Sequence, residues 1–544
     1  MKTLDGTLFA RMVNSGAANL KAHVNEINDL NVFPIPDGDT GDNMLMTMMG
    51  GISDGIAISE ELDVAVSVIS NGMLMSARGN SGVILSQFFE GVKIGFSGLH
   101  TADANQLGEA FMKGVNQAYG SVMIPAEGTI LTVARESAQY ACAQNSETLE
   151  DYIVAFIDEA KRSLARTPEL LPVLKKSGVV DSGAAGLIYI VEGMLFALLG
   201  RDVADLSEIS ENREAINLDA FNEDSVLELG YCTELLVRLQ NTKTDISTFD
   251  LNVIKDYLST VGDSIVTVRN GSLVKLHVHT MTPQRVLEFC QRYGEFLKVK
   301  IENMSLQHNS LVTEEKSKHL VRERKKYGVV AVACGEGLKE CFRERGADVI
   351  VDGGQSMNPS AEDFISAFDE VNADVIFVLP NNGNIVLTAQ QAARLYEGAD
   401  VRVIESRTIG AGYSALAMYD PTSDDTDAIA EELHVAMDGV ITAEFSCCVR
   451  DATIDGKVIH RGDYIGVIGK ELMGVDPTCA GAVCKTVDGI GFADYDVCII
   501  ICGKDASIED NERIVEYIRS KYKGKEVYIV DGGQKVYDYI LIVE

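Results

Sequence analysis

The sequence predicts a multidomain protein with an all-α N-terminal region, a small α+β middle domain and an α/β C-terminal domain. Three observations carry this. Apolar residues recur at three- and four-residue spacing up to about residue 202. Between about 230 and 304, strand-like and helix-like segments follow one another in the order βαββαβ. From about 326 onward, short apolar runs alternate with helical patterns, as a parallel sheet requires. The expected domains are therefore 1–202, 203–325 and 326–544.

At 544 residues and 46% hydrophobic content, the chain can bury a separate core in each domain. Its net charge of -34 argues against a nucleic-acid partner, because affinity there comes mainly from lysine and arginine neutralising phosphates. The 11 cysteines lack framework spacing and are expected as reduced thiols. The apolar stretch 186–200 is interrupted by Glu192 and is too short to span a bilayer. Asp5 and Arg11 fall where a signal peptide would need an apolar core. A cytoplasmic protein without a transmembrane segment is expected.

Phe9, Met12, Val13, Leu20, Val24 and Ile27 mark an amphipathic helix within 7–30. It runs into Asn31-Val-Phe-Pro-Ile-Pro-Asp-Gly-Asp-Thr-Gly-Asp-Asn-Met44, where Pro34 and Pro36 end the helix and Gly38 and Gly41 allow tight turns. This bend gathers Asp37, Asp39 and Asp42, and Thr40 can cap a helix from about 42 to 49. Carboxylates beside free helix-start amides are compatible if divalent cations sit on the carboxylates and bridge to nucleotide oxygens. An isolated Asp-Gly-Asp would be no more than a polar turn.

Further helices are expected at 62–78, 81–95, 104–119, 127–143, 148–166 and 183–199. Three of their starts are glycine-containing turns: Ala77-Arg-Gly-Asn-Ser-Gly-Val-Ile84, with Asn80 or Ser81 as cap, Glu127-Gly-Thr-Ile-Leu131, and Val179-Val-Asp-Ser-Gly-Ala-Ala-Gly186. Each alone reads as a capped turn between helices. Together with the acidic bend they are expected to converge on one ligand, using orphan amides and hydroxyls to hold phosphates and sugar. The site is not a P-loop, since no GxxxxGKS/T occurs. His23 and His100 read as ordinary surface or packing residues.

Residues 31–44 resemble the signature of DhaL-type kinase domains, and of the FakA family of fatty acid kinases in particular, whose members carry a nearly identical NVFP-PDGDTG-NM run. The resemblance implies a barrel of up-and-down helices with ATP and Mg²⁺ at one open end. It implies Asp37, Asp39 and Asp42 as magnesium ligands, with Asp37 and Asp39 acting in catalysis through the metal. It also implies nucleotide contacts from Thr40, Gly41, Asn43, Ser81, Gly82, Gly128, Thr129, Asp181, Ser182 and Gly183. The chain departs from the family in three places. It has only Asn31 or Asp29 where DhaL proteins supply an upstream aspartate, Asp42 where threonine is usual, and DSGAAG in place of DSGG.

In the middle region, strands at 230–240, 263–268, 273–279 and 296–304 and helices at 248–259 and 282–294 give a ferredoxin-like split unit, with a hairpin at Asn270-Gly271. If the first and third strands are antiparallel neighbours, Cys232 comes beside His277 and His279, and His308 falls at the same end. Cys232, His277 and His279 are candidate Zn²⁺ ligands. The other reading is a small core cysteine beside a solvent-facing alternation. The FakA family shares the cysteine, the HVHT run and the IENM-QH ending, which implies a structural zinc or a coupled polar cluster.

In the last region, apolar runs at 347–351, 373–379 and 401–404 precede a hairpin-rich section from about 438 to 469 and further strands from 495. Val351-Asp-Gly-Gly-Gln355 recurs as Val530-Asp-Gly-Gly-Gln534. Gly353, Gln355, Asn358, Asn381 and Asn382 lie at strand ends, as ligand-binding residues or as plain turns. This half resembles the FakA C-terminal region, related to DegV lipid-binding proteins. The whole resemblance implies the kinase component of a fatty acid kinase, which phosphorylates the carboxylate of a fatty acid presented by a DegV-family partner, with docking and homodimerisation through the later domains. A dihydroxyacetone-type small-molecule kinase and a non-catalytic nucleotide sensor remain as alternatives.

Overall fold

The computed structural model describes residues 3–31, 38–52, 59–201, 231–244, 246, 249, 251–270, 273–303, 324–355, 357–448, 451–454, 457–469 and 471–544. These fall into two compact units, one made of Met1–Glu208 with Arg322–Glu544 and the other of Ile209–Val321. The helical and C-terminal domains therefore belong to one body.

The helical domain contains α1 (Gly6–Ala22), α2 (Val24–Leu30), α3 (Thr40–Gly51), α4 (Leu62–Ser76), α5 (Gly79–Phe96), α6 (Ala104–Ser121), α7 (Ile130–Ala143), α8 (Leu149–Leu170), α9 (Pro172–Ser177) and α10 (Ser182–Leu198). Their apolar stripes meet in one continuous core. At its centre the Phe111 ring packs edge-on against Phe88 at 5.3 Å, Tyr152 at 5.8 Å and Phe156 at 5.5 Å.

The single helix expected over 7–30 is broken at His23. Its ring Nδ1 donates to Asn19 O at 2.8 Å, and its backbone N–H turns to Leu20 O instead. The ring also stacks on Tyr189 at 4.0 Å. A side chain that takes the i−4 carbonyl and a ring stacked on α10 together fix the kink.

The middle unit holds β1 (Tyr231–Leu239), α11 (Asn252–Val261), β2 (Asp263–Asn270), β3 (Leu273–Thr280), α12 (Pro283–Cys290) and β4 (Gly294–Asn303). Its antiparallel sheet runs β2-β3-β1-β4, the expected ferredoxin-like order. Leu235, Val237, Val274, Leu276 and Val278 are buried with Ile254, Leu258 and Val286 of the helices.

In the C-terminal domain, β5 (Lys325–Ala333), β6 (Val349–Asp352), β7 (Ala373–Leu379) and β8 (Asp400–Val403) form a parallel sheet in the order β6-β5-β7-β8. Next come β9 (Ile441–Cys447), a β10–β11 hairpin (Ala452–Ile454 and Lys457–Ile459), β12 (Tyr464–Ile468), β13 (Glu471–Asp476), β14 (Val497–Cys502), β15 (Glu526–Asp531) and β16 (Tyr539–Val543). Excluding the hairpin, these make a mixed sheet, β13-β12-β9-β16-β14-β15. The two Val-Asp-Gly-Gly-Gln copies leave β6 and β15, each an edge strand paired in parallel with its neighbour. Both copies line one cavity of about 60 Å³, with Asn381, Asn382 and Glu444. The cysteines among the described residues are free thiols, and no described helix is long and apolar enough to cross a membrane.

Candidate functional site

The starts of α3, α5, α7 and α10 meet at one end of the helical domain. Ser182 Oγ, at the start of α10, lies 3.3 Å from Thr40 Oγ1 at the start of α3. A Cβ on Gly183 would sit 3.5 Å from Ser81 Oγ and 3.5 Å from Ile130 Cβ, the first turns of α5 and α7. A Cβ on Gly82 would fall 2.4 Å from Thr47 Oγ1 and 3.2 Å from Asn43 O, so glycine lets α5 lie directly on α3.

The capping differs from the sequence expectation. Thr40 is the first residue of α3 and Asp39 is its N-cap, without a side-chain cap bond. The Thr40 hydroxyl is engaged instead by Asn31 Nδ2 at 3.2 Å and by Ser182. Asn28 of α2 serves the helix start from outside. Its Oδ1 accepts the Gly41 N–H at 2.8 Å and its Nδ2 donates to Asp42 Oδ2 at 2.7 Å. Asp42 is thus an exposed partner of Asn28.

At α5 the N-cap is Arg78, and neither Asn80 nor Ser81 caps the helix. Gly79 adopts φ +58°, and a Cβ there would meet Asn43 Nδ2 at 2.7 Å. Asn80 Nδ2 instead reaches Asn384 Oδ1 at 3.2 Å. At α7 the N-cap Thr129 makes no side-chain cap bond, its hydroxyl donating to Ala126 O at 2.8 Å. Gly128, at φ +84°, packs against Thr167, Leu170 and Leu171 at the end of α8 rather than against Thr40. Glu127 beside it is gripped by both guanidinium nitrogens of Arg135, at 2.7 and 2.8 Å, which hold its carboxyl down to about 2.

Asp181 does cap α10, accepting the Ala184 N–H at 2.8 Å. Burial pushes its carboxyl up to about 6 against the opposing bonds from the Ala184 and Ile130 amides. Asp37 lies outside the described residues.

Residues of the C-terminal domain reach this end too. Asn358 Nδ2 donates to Asp39 Oδ2. Arg78 donates to Asn358 O at 3.0 Å and pairs with Asp363 at 3.7 Å. Sequence reasoning placed Arg78 inside a turn motif and Asn358 among strand-end residues. No local pattern encodes a contact between positions 280 apart.

Residues 34–196 match the DAK2 domain, 228–311 the middle domain of FakA-like fatty acid kinases, and 328–544 the C-terminal domain of the same FakA-like proteins. Protein YloV of Bacillus subtilis is 40% identical over 561 residues, covering 100% of both chains. This chain belongs to the FakA-like fatty acid kinase family. A second relative, protein SH1689 of Staphylococcus haemolyticus, is 36% identical over 557 residues, covering 99% of each chain. Two solved structures are more distant. The Streptococcus pneumoniae fatty acid kinase B3 protein loaded with linoleic acid has a TM-score of 0.31 at 12% identity, covering 40% of this chain and 99% of its own. The Thermotoga maritima protein TM841, described as revealing fatty acid binding function, has a TM-score of 0.30 at 13% identity, with the same coverage. These last likenesses carry no functional argument.

Within the middle unit of this FakA-like chain, Cys232 is the register partner of His279, and Glu234 that of His277. The side chains of Cys232, His277 and His279, and all of His308, lie outside what is described. Among the described residues no three His, Cys, Asp or Glu side chains gather as a metal cluster. At the helical site the donor chemistry nevertheless fits a hard divalent cation. Asp39 supplies a carboxylate, and Asn358 Oδ1 and Asn80 Oδ1 are buried oxygens with no hydrogen bond among the described residues.

Proposed function

We propose that the chain is the ATP-dependent component of a fatty acid kinase, phosphorylating the carboxylate of a fatty acid held by a DegV-family lipid-binding partner to give an acyl phosphate. The observation that carries this reading is the meeting of four helix starts around Thr40, Ser81, Ile130 and Ser182 in a chain of this family. At α3, α5 and α7 the N-cap residue makes no side-chain cap bond of its own; the Gly41 amide goes to Asn28 and the Ile130 amide to Asp181, and the remaining first-turn amides suit phosphate oxygens as partners.

In this reading Thr40, Asn43, Ser81 and Gly82 surround the phosphates, and Gly41 lets the backbone approach Asn28. Gly128, Thr129, Asp181, Ser182 and Gly183 close over the rest of the nucleotide. Asp39, with Asp37 from the same bend, would hold Mg²⁺, and Asp42, engaged by Asn28, would stand beside this pair without reaching the ion. When bound, that ion would supply charge neutralisation for the nucleotide's phosphates. The protein's own part is positioning and exclusion of water.

A fatty acid carboxylate is ionised at neutral pH, so it can attack the γ-phosphorus as the bond to ADP breaks, with no proton to remove. The acyl tail is poorly soluble and needs an apolar pocket elsewhere, which is the role of the partner. The test is to incubate the full chain with ATP, Mg²⁺ and a fatty-acid-loaded partner, following ADP and acyl phosphate. ATP consumption indifferent to the loaded partner rejects the reading.

A further inference from the structure

The Asp39 carboxylate is met by a residue of another domain. Asn358 is 3% exposed and comes from the loop that follows β6, just before the helix Ala361–Val371. Since its Nδ2 faces a carboxylate, which can only accept, the orientation of the amide is fixed. That leaves Oδ1 buried and without a hydrogen bond among the described residues. A buried amide oxygen in this state calls for a donor or a cation.

The loop is held in place at Asn358 and just after it. The Arg78 guanidinium donates to the Asn358 carbonyl at 3.0 Å and pairs with Asp363 at 3.7 Å, while the Arg78 backbone bridges to Ser360. Ser360 and Asp363 form a capping box, so the anchor is the rigid start of a helix. About two turns further along α5, Gln391 makes a second contact between the domains. Its Oε1 accepts from Gln87 Nε2 at 3.0 Å and its Nε2 donates to Leu74 O at 2.6 Å. Gln391 is itself 3% exposed.

We propose that the C-terminal domain completes the kinase site by supplying Asn358 as a positioning residue, whose amide orients the Asp39 carboxylate and whose Oδ1 faces a donor or cation of the loaded site. The inference rests on the kinase reading above and deepens it. The C-terminal domain is then part of the phosphoryl-transfer machinery, acting through Asn358 on the Asp39 carboxylate. Groups that orient a metal ligand typically cost 10- to 100-fold in metal affinity when removed.

The test uses the full chain, with Mn²⁺ in place of Mg²⁺ and a non-hydrolysable ATP analogue, and measures Mn²⁺ binding by electron paramagnetic resonance. Asn358→Ala should weaken Mn²⁺ binding by roughly 10-fold or more, leaving analogue affinity in chelator unchanged. Gln391→Ala, which loosens the same interface away from Asp39, should bind Mn²⁺ as the parent does. Should Asn358→Ala not fold, Asn358→Ser removes the reach to Asp39 with a smaller void and is read in the same way. Parent-like Mn²⁺ binding in the Asn358 variant overturns the inference, as does an equal loss in Gln391→Ala. A parent chain that binds no metal nucleotide overturns the kinase reading as well, so the two failures are distinguishable.

Discussion

Ser182 Oγ lies 3.3 Å from Thr40 Oγ1, joining the first turns of two helices whose starts are 142 residues apart in sequence. Neither hydroxyl is needed to cap its own helix, because Asp181 caps α10 and Asn28 accepts the Gly41 amide of α3. Two hydroxyls not spent on capping, set between two positive helix ends, form a polar surface suited to phosphate or ribose.

The two described carboxylates of the bend should separate in function. Asp39 faces Asn358, whereas Asp42 is exposed and engaged by Asn28. We expect Asp39→Ala to lower Mg²⁺-dependent ATP turnover by about 100-fold or more, the order seen when a transition-state charge stabiliser is lost. Asp42→Ala should cost only a few-fold, through a looser Asn28. Initial rates of ADP release with a fatty-acid-loaded partner decide this, and equal losses would place Asp42 with Asp39 at the reacting centre.

Gly79→Ala tests the turn into α5. The residue sits at φ +58°, and a Cβ would meet Asn43 Nδ2 at 2.7 Å, so backbone strain and a clash act together. The expected destabilisation is about 1–3 kcal/mol, read from the denaturant midpoint. Nucleotide affinity should fall as well, since Asn43 is the group displaced.

Much of this architecture was legible because it is periodic. The helical stripes located α4 to α8 and α10 to within a few residues, and the βαββαβ order led to the sheet β2-β3-β1-β4. The caps were less legible because a hydroxyl caps its own helix only when no better partner arrives from elsewhere. Thr40 is taken by Asn31 and Ser182, and Asn80 by Asn384. The reach of Asn358 to Asp39 left no local trace, since it depends on how two domains pack rather than on either sequence pattern. His23 reads from sequence as an ordinary surface or packing residue, and its bond to Asn19 O and its stack on Tyr189 together bend the first helix.

Arg135→Lys should loosen the Glu127-Gly128-Thr129 turn by replacing a two-nitrogen grip with a point charge. Glu127 has its folded pKa depressed to about 2, first by its bonds from Arg135. The stability this contributes is present above the unfolded value near 4.5 and is lost as pH falls toward 2. With the pair partly exposed, the loss is expected below about 1 kcal/mol. The acid-unfolding midpoint of the lysine variant should therefore rise toward neutral pH by a small amount, and KM for ATP should rise several-fold with kcat little changed.

Glu444 offers a pH effect of opposite sign, in the cavity lined by both Val-Asp-Gly-Gly-Gln copies. Burial pushes its carboxyl from 4.5 up to about 7, against a hydrogen bond from the Tyr537 hydroxyl. The folded state thus holds the proton more tightly than the unfolded state, so its stabilising effect is complete below about 4.5 and disappears as pH rises through 7. Glu444→Gln keeps an oxygen for Tyr537 and removes the buried charge. It should leave stability at pH 4 nearly unchanged, raise it at pH 8 by about 1–3 kcal/mol, and flatten the slope between. Thermal unfolding of both proteins from pH 4 to 8 measures this. A parallel pair of curves would mean that Glu444 is solvated in the folded chain.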